Sequence, residues 1–184
     1  MAIPRPFAEF LCAENAWKPL PASILLIGRQ TMTFNQDVLC DLASRWKLLL
    51  GPVELDNHTI HAKRHLECGW VSDNSFFKML GVETIHAIDH SDFEGADIIH
   101  DICTPIPTHL VGAFDFIING SVFDNIFDIG EAVRNLSRLL APGGRIVHLE
   151  TATTNRYSYT AISPSWFFDY YVKNQFSDCK CYMG

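Results

Sequence analysis

No stretch of this sequence is apolar for the twenty or so residues that a membrane-spanning helix needs. The longest apolar runs, such as Ile24-Leu25-Leu26-Ile27, are the size of a strand. Basic residues are few. Lys and Arg total 14 against 21 Asp and Glu, a formal charge of −7, which excludes a general binder of phosphate backbones, because such proteins draw their affinity from clustered cations. The opening Met-Ala-Ile-Pro-Arg-Pro has no basic stretch followed by an apolar core, so no secretory signal is expected and the cytoplasm is the default. The six cysteines are then expected to be reduced thiols. Cys179-Lys180-Cys181 is too closely spaced for a common metal hook, and no metal is expected. Internal repeats and low-complexity tracts are missing too.

What is present is a globular composition, 48% apolar and 19% charged, in 184 residues, the length of one domain. Residues 1–22 read as an N-terminal extension, 51–72 as an inserted, His-rich loop with one helical turn at most, and 151–184 as a lid or C-terminal segment.

Strand and helix patterns alternate between those segments. Ser23–Gly28 is a continuous apolar run ended by glycine, the mark of a buried strand. Val38, Leu39, Leu42, Trp46 and Leu49 then keep helical spacing over Asn35–Leu50, with Gly51-Pro52 as the stop. Ser72 or Asp73 caps a short helix that runs to Leu80, where Gly81 ends it. Strands are predicted at Glu83–Asp89, Ala96–His100, Phe114–Asn119 and Arg145–Glu150, with a helix carrying Ile129, Val133, Leu136 and Leu140 before the last of them. Such alternation implies parallel pairing through crossovers and an α/β, doubly wound, mainly parallel sheet. Ligands of such sheets sit at the carboxyl ends of the strands, where strand order reverses.

Several stretches at those strand ends carry a family likeness. Phe114-Asp115-Phe116-Ile117-Ile118 followed by a helix and Arg138-Leu139-Leu140-Ala141-Pro142-Gly143-Gly144 is similar to the pattern of class I S-adenosylmethionine (SAM) methyltransferases. Gly28-Arg29-Gln30, Asp89-His90-Ser91-Asp92-Phe93-Glu94-Gly95-Ala96, His100-Asp101 and Ser163-Pro164 resemble a subfamily of small methyltransferase-like proteins from bacterial polysaccharide and glycan gene clusters. The likeness spans roughly residues 23–170.

The resemblance implies a Rossmann-like class I fold, SAM as cofactor, and methyl transfer to O or N of a small-molecule or glycan acceptor. It implies a cofactor site of Gly28, Gln30, Asp89, His90, Asp101, Ile102 and Asn119. A carboxylate at a strand tip accepts protons from both ribose hydroxyls, which suits Asp89, and Asp101 with Ile102 is placed for the adenine. Each Asp has an ordinary role as a turn former or cap instead.

The first loop departs from the family. Leu26 stands where an acidic residue is usual, and Arg29, Gln30, Thr31 and Met32 follow Gly28 without further glycines. Gln30 or Asn119 offers a side-chain carbonyl in place of the missing carboxylate. After the fourth strand, Asp124 is the candidate catalytic base, or the cap of a helix beginning near Ile126. A nicotinamide oxidoreductase should show GxGxxG after the first strand, and that is missing. A methyltransferase-like protein that has lost catalysis and acts in binding or assembly is the closer rival.

His58, His61, His65 and Cys68 would share one face of a helix, as a metal group or a bland exposed cluster. Tyr157, Tyr159, Trp166, Phe167 and Phe168 suggest an acceptor lid, core or interface, with a short helix Ser165–Lys173 behind a Ser163-Pro164 cap. The family's closing antiparallel hairpin is incomplete: Phe176–Tyr182 supplies one strand at most. The edge at Arg145–Glu150 is then covered either by Phe176–Tyr182 folding back as an edge strand or by a second copy across a two-fold axis, and a homodimer or larger assembly is expected if this chain is the whole protein.

Overall fold

The computed structural model describes residues 2–153 and 158–182. In chain order the elements are β1 (Ala2–Ile3), α1 (Arg5–Trp17), β2 (Ser23–Ile27), β3 (Thr31–Met32), α2 (Gln36–Trp46), α3 (Ile60–Arg64) and α4 (Asp73–Met79). They continue with β4 (Thr84–Asp89), β5 (Ile98–Ile99), β6 (Phe114–Gly120), α5 (Ile129–Leu139), β7 (Leu140–Leu149) and α6 (Pro164–Lys173).

The main sheet has five strands in the order β5-β4-β2-β6-β7, every pairing parallel. Its strands are apolar on both faces because helices cover both. Ile24, Leu26, Phe116 and Ile118 meet residues of α1, α2 and α4, whereas Leu25, Ile27 and Ile117 meet residues of α5 and α6. Each fully buried Leu or Ile contributes about 1.5–3 kcal/mol by leaving water, so the two layers fix the strand register. Among the described residues no helix is long and apolar enough to cross a membrane.

Local chemistry sets the helix starts. Asn35, Ser72, Asp128 and Ser163 each accept a backbone N–H of the turn that follows, at Val38, Ser75, Glu131 and Ser165. Asp128 caps α5, so Asp124 does not fill the capping role expected near Ile126.

Several boundaries differ from the sequence reading. Helix α2 stops at Trp46 because Lys47 turns left-handed, with φ 55° and its N–H on the carbonyls of Ala43 and Ser44. The chain beyond runs off the surface, and Leu49, expected on the apolar face, is 91% exposed. The N-terminal extension is no appendage: Ile3, Phe7, Ala8, Leu11 and Cys12 enter the core, and β1 pairs with β3. Residues 51–72 hold α3, a 3-10 turn at Leu66–Cys68, and single bridges from Asn35 to Trp70 and from Leu55 to Val71. The strand predicted over Ala96–His100 is only β5.

The last strand begins at Leu140, five residues earlier than expected. Phe114 pairs with Leu140 and Phe116 with Arg145, so the Pro-Gly-Gly stretch is a bulge within β7, with Gly143 at φ 80°. Phe176–Tyr182, one of the two candidates to cover the edge of β7, forms no strand. Among the described residues β7 has β6 on one side and no strand on the other.

Candidate functional site

Strand order reverses between β2 and β6, since the chain builds outward through β4 and β5 before returning to β6 and β7. At that switch point Gly28 turns the chain away from β2 at φ 67°, a conformation that glycine adopts without strain, while its N–H bonds the Ile88 carbonyl at 2.8 Å. Gln30 then folds back into the crevice, wholly buried. Its Nε2 donates to the carbonyls of Ile27 at 3.2 Å and Gly28 at 3.0 Å, and its Oε1 is buried with no partner among the described residues. The amide sits against Gly120 at the end of β6, where a Cβ would stand 2.1 Å from Oε1.

The same loop is pinned from outside. Arg29 bonds Asp73 at 2.5 Å, with side chains only 11% and 5% exposed. Burial holds the Asp73 carboxyl above the usual carboxylate range, and Arg29 opposes that rise. Thr31 donates to Thr59 at 2.7 Å and Thr59 to Asp56 at 2.6 Å, which ties the loop to residues 56–59.

One strand over, Asp89 ends β4 with its side chain 21% exposed. It accepts its neighbour's backbone N–H at 2.7 Å, and the His90 ring nitrogen Nδ1 lies 2.7 Å away. Asp101 lies beyond β5 and is engaged as a turn former, accepting the Cys103 N–H at 2.8 Å. Ile102 is buried in the α5–α6 layer, its carbonyl held by Asn135 at 2.9 Å.

On the other face of the tips stands a buried polar group. Asn119 donates to Glu150 Oε1 at 2.6 Å and to His148 Nδ1 at 3.0 Å, and its own carbonyl accepts the Val122 N–H. With Nδ1 accepting, the neutral imidazole carries its proton on Nε2, which donates to the Tyr171 hydroxyl at 2.7 Å. Burial pushes His148 down to about 3 and Glu150 up to about 8, the latter despite donors from Phe123 and Asn119. Burial also raises the Tyr171 hydroxyl. Glu150 Oε2 has no partner among the described residues.

Asp124 is nearly buried and accepts three side-chain donors, Ser121 at 3.0 Å, Thr151 at 3.2 Å and Asn125 at 2.6 Å. Its carbonyl takes the backbone N–H of Tyr159 and of Thr160. This arrangement organises the loop after β6.

The aromatic residues after β7 divide. Phe167 packs on His148 at 4.5 Å and stacks on Phe123, so it belongs to the core beside the tips. Trp166 turns away and stacks on Tyr170, in a groove with Gly130 and Arg134 of α5. Tyr159 stacks on exposed Phe127, and Tyr157 lies outside the described residues. His58, His61, His65 and Cys68 do not share a helical face, since α3 spans only Ile60–Arg64. Among the described residues no three His, Cys, Asp or Glu side chains gather as metal ligands would.

The structure thus joins Gly28 and Gln30 to the end of β6, puts Asp89 and His90 one strand away, and keeps Asn119 on the opposite face. The sequence reading missed Glu150, His148, Arg29 with Asp73, and Gly120. Glu150 ends the strand expected from the sequence, as Asp89 does, and follows β7 directly, which was its one visible signal.

Strand order, parallel pairing and the reversal between β2 and β6 define a Rossmann-like, doubly wound α/β domain. Among solved structures it is similar to the citrinin polyketide synthase CMeT domain, with TM-score 0.46 and 15% identity over 82% of this chain and 35% of that one. It is also similar to the trans-methyltransferase CalH in complex with SAH, with TM-score 0.38 and 16% identity over 83% and 37%. The chain spans little more than a third of the length of either. The sequence matches no protein-family model and no curated protein.

Proposed function

We propose that this domain binds SAM across the carboxyl ends of β2 and β4 and transfers its methyl group to a small-molecule or glycan acceptor. The observation that carries the reading is Asp89, a part-exposed carboxylate at the tip of the strand next to the Gly28 turn. Two hydroxyls of a ribose present two protons to such a carboxylate, and charge-assisted hydrogen bonds of this kind are strong.

The residues fit the nucleoside half of the cofactor. In the arrangement seen they do not fit its amino-acid half, because the Gln30 amide fills the crevice beside Gly28. When bound, SAM supplies an electrophilic methyl group on a positively charged sulfur. The chain's own part is orientation: Asp89 holds the sugar, and the Arg29–Asp73 pair fixes the loop that carries Gln30.

A second reading is a binding or assembly protein of the same fold without catalysis. Two observations favour it: the space beside Gly28 filled by Gln30, and the three side-chain donors on Asp124, which engage that carboxylate in ordering the loop after β6.

Calorimetry with SAM and with its demethylated product tests the reading. Saturable heat that falls about tenfold or more in affinity in a folded Asp89→Ala variant is expected, as for loss of a hydrogen bond to a charged group. No heat from either compound, with wild type and with Gln30→Ala alike, would overturn it.

A further inference from the structure

We infer that Gln30 is a displaceable plug: its amide occupies the crevice at the switch point, and the amino-acid limb of a nucleoside cofactor enters only when that side chain swings out. The inference rests on the nucleoside site proposed above and names what decides which nucleosides it takes.

Three observations carry it. The first is position, since the amide lies between the ends of β2 and β6, where strand order reverses and where sheets of this kind receive their ligands. The second is shape. A Cβ on Gly120 would stand 2.1 Å from Gln30 Oε1, so the amide already fills the space against the end of β6 that a ligand group would need.

The third is chemistry. Gln30 Nε2 is satisfied by two carbonyls, whereas Oε1 is buried without a donor among the described residues. A buried acceptor without a donor disfavours the closed position. Gln is unbranched, and its side-chain bonds have other staggered rotamers by which the amide leaves this position. Withdrawal uncovers the carbonyls of Ile27 and Gly28 and frees Oε1, so the opened crevice offers acceptors and no donor from these groups. Acceptors suit the ammonium group of that limb and not its carboxylate, which has to lie clear of these carbonyls. The ligand class is therefore a nucleoside with a cationic amine on its 5′ substituent; a nucleoside without that limb binds with the plug in place.

The test compares SAM with 5′-methylthioadenosine, the same nucleoside without the amino-acid limb, by calorimetry on wild type, Gln30→Ala and Gln30→Met. Gln30→Ala is expected to tighten SAM about tenfold and to leave 5′-methylthioadenosine within about threefold. Gln30→Met keeps the filling volume and is expected to leave the preference of the wild type. In wild-type protein, SAM should shift the side-chain amide resonances of Gln30 and 5′-methylthioadenosine should not, a readout that needs no variant to fold. Equal shifts in affinity for the two compounds, or unmoved amide resonances at saturating SAM, would overturn the plug and leave the site standing. Failure of both compounds to bind any of the three proteins would overturn the plug together with the site.

Discussion

Asn119 joins Glu150 across the tips of two neighbouring strands, its Nδ2 donating to Oε1 at 2.6 Å while the same nitrogen reaches His148. One amide thus holds a carboxyl whose affinity for protons is raised and an imidazole whose affinity is lowered, both by burial. Their effects on stability have opposite signs and different windows.

Glu150 rises from 4.5 to about 8, so the folded state keeps a proton that the unfolded chain releases, and stability is lost as pH climbs through that interval. His148 falls from 6.5 to about 3, and its contribution is lost as pH drops through that lower interval. Above the unfolded histidine value the glutamate acts without this opponent. Denaturant unfolding between pH 6.5 and 8 should show stability declining by up to about 1 kcal/mol per pH unit. Glu150→Gln should flatten that decline, and an unchanged slope in the variant would count against a protonated Glu150.

The buried pair Arg29–Asp73 predicts a large single-site effect. Arg29→Met strands a buried carboxyl, which costs about 3–5 kcal/mol in such pairs. Without its cation Asp73 should titrate still higher, so the deficit against wild type should shrink as pH falls. Asp73→Asn added to Arg29→Met should recover part of the loss. Urea titrations at two pH values check all of this.

Gly120→Ala should destabilise the protein by about 1–3 kcal/mol, because the new methyl group displaces a buried, hydrogen-bonded amide. In a Gln30→Ala background the same change should cost close to nothing. Equal costs in the two backgrounds would show that the two residues do not compete for one space.

The outer side of β7 predicts self-association. A strand without a neighbour offers free N–H and C=O groups, and a second copy related by a two-fold axis can pair with them. Light scattering at micromolar concentration is expected to show a dimer. A monomer whose amides over residues 145–149 exchange slowly would show that the edge is covered within one chain.

The central strands were legible because Ile24–Ile27 and Phe116–Ile118 are buried on both faces and leave no alternation to misread. Helix α1 was legible in principle, since Pro6 lies in its first turn, but Arg5 and Glu9 on its outer side masked the stripe of Phe7, Leu11 and Cys12. The end of α2 was not, because Lys47 adopts a left-handed turn that sequence ascribes to glycine. Of the site, Gly28 and Asp89 were readable as strand ends. The position of Gln30 depends on Gly120, the environment of Glu150 on Asn119 of β6, and that of His148 on Tyr171 of α6. Contacts so distant in sequence leave no local pattern.

The placement of β6 beside β2 also governs how the molecule is assembled. Leu25 meets Ile117 in the middle of the sheet, so roughly ninety residues of chain must be looped out before the central pair closes. During synthesis, β2 emerges long before β6 and waits with the backbone N–H and C=O groups of one edge unpaired. Topology of this kind makes folding slow, and a chain released before Phe114 would carry the central strand β2 paired with β4 on one side only. The crevice at the switch point is therefore among the last features to exist, since it has no walls until the second half of the chain arrives.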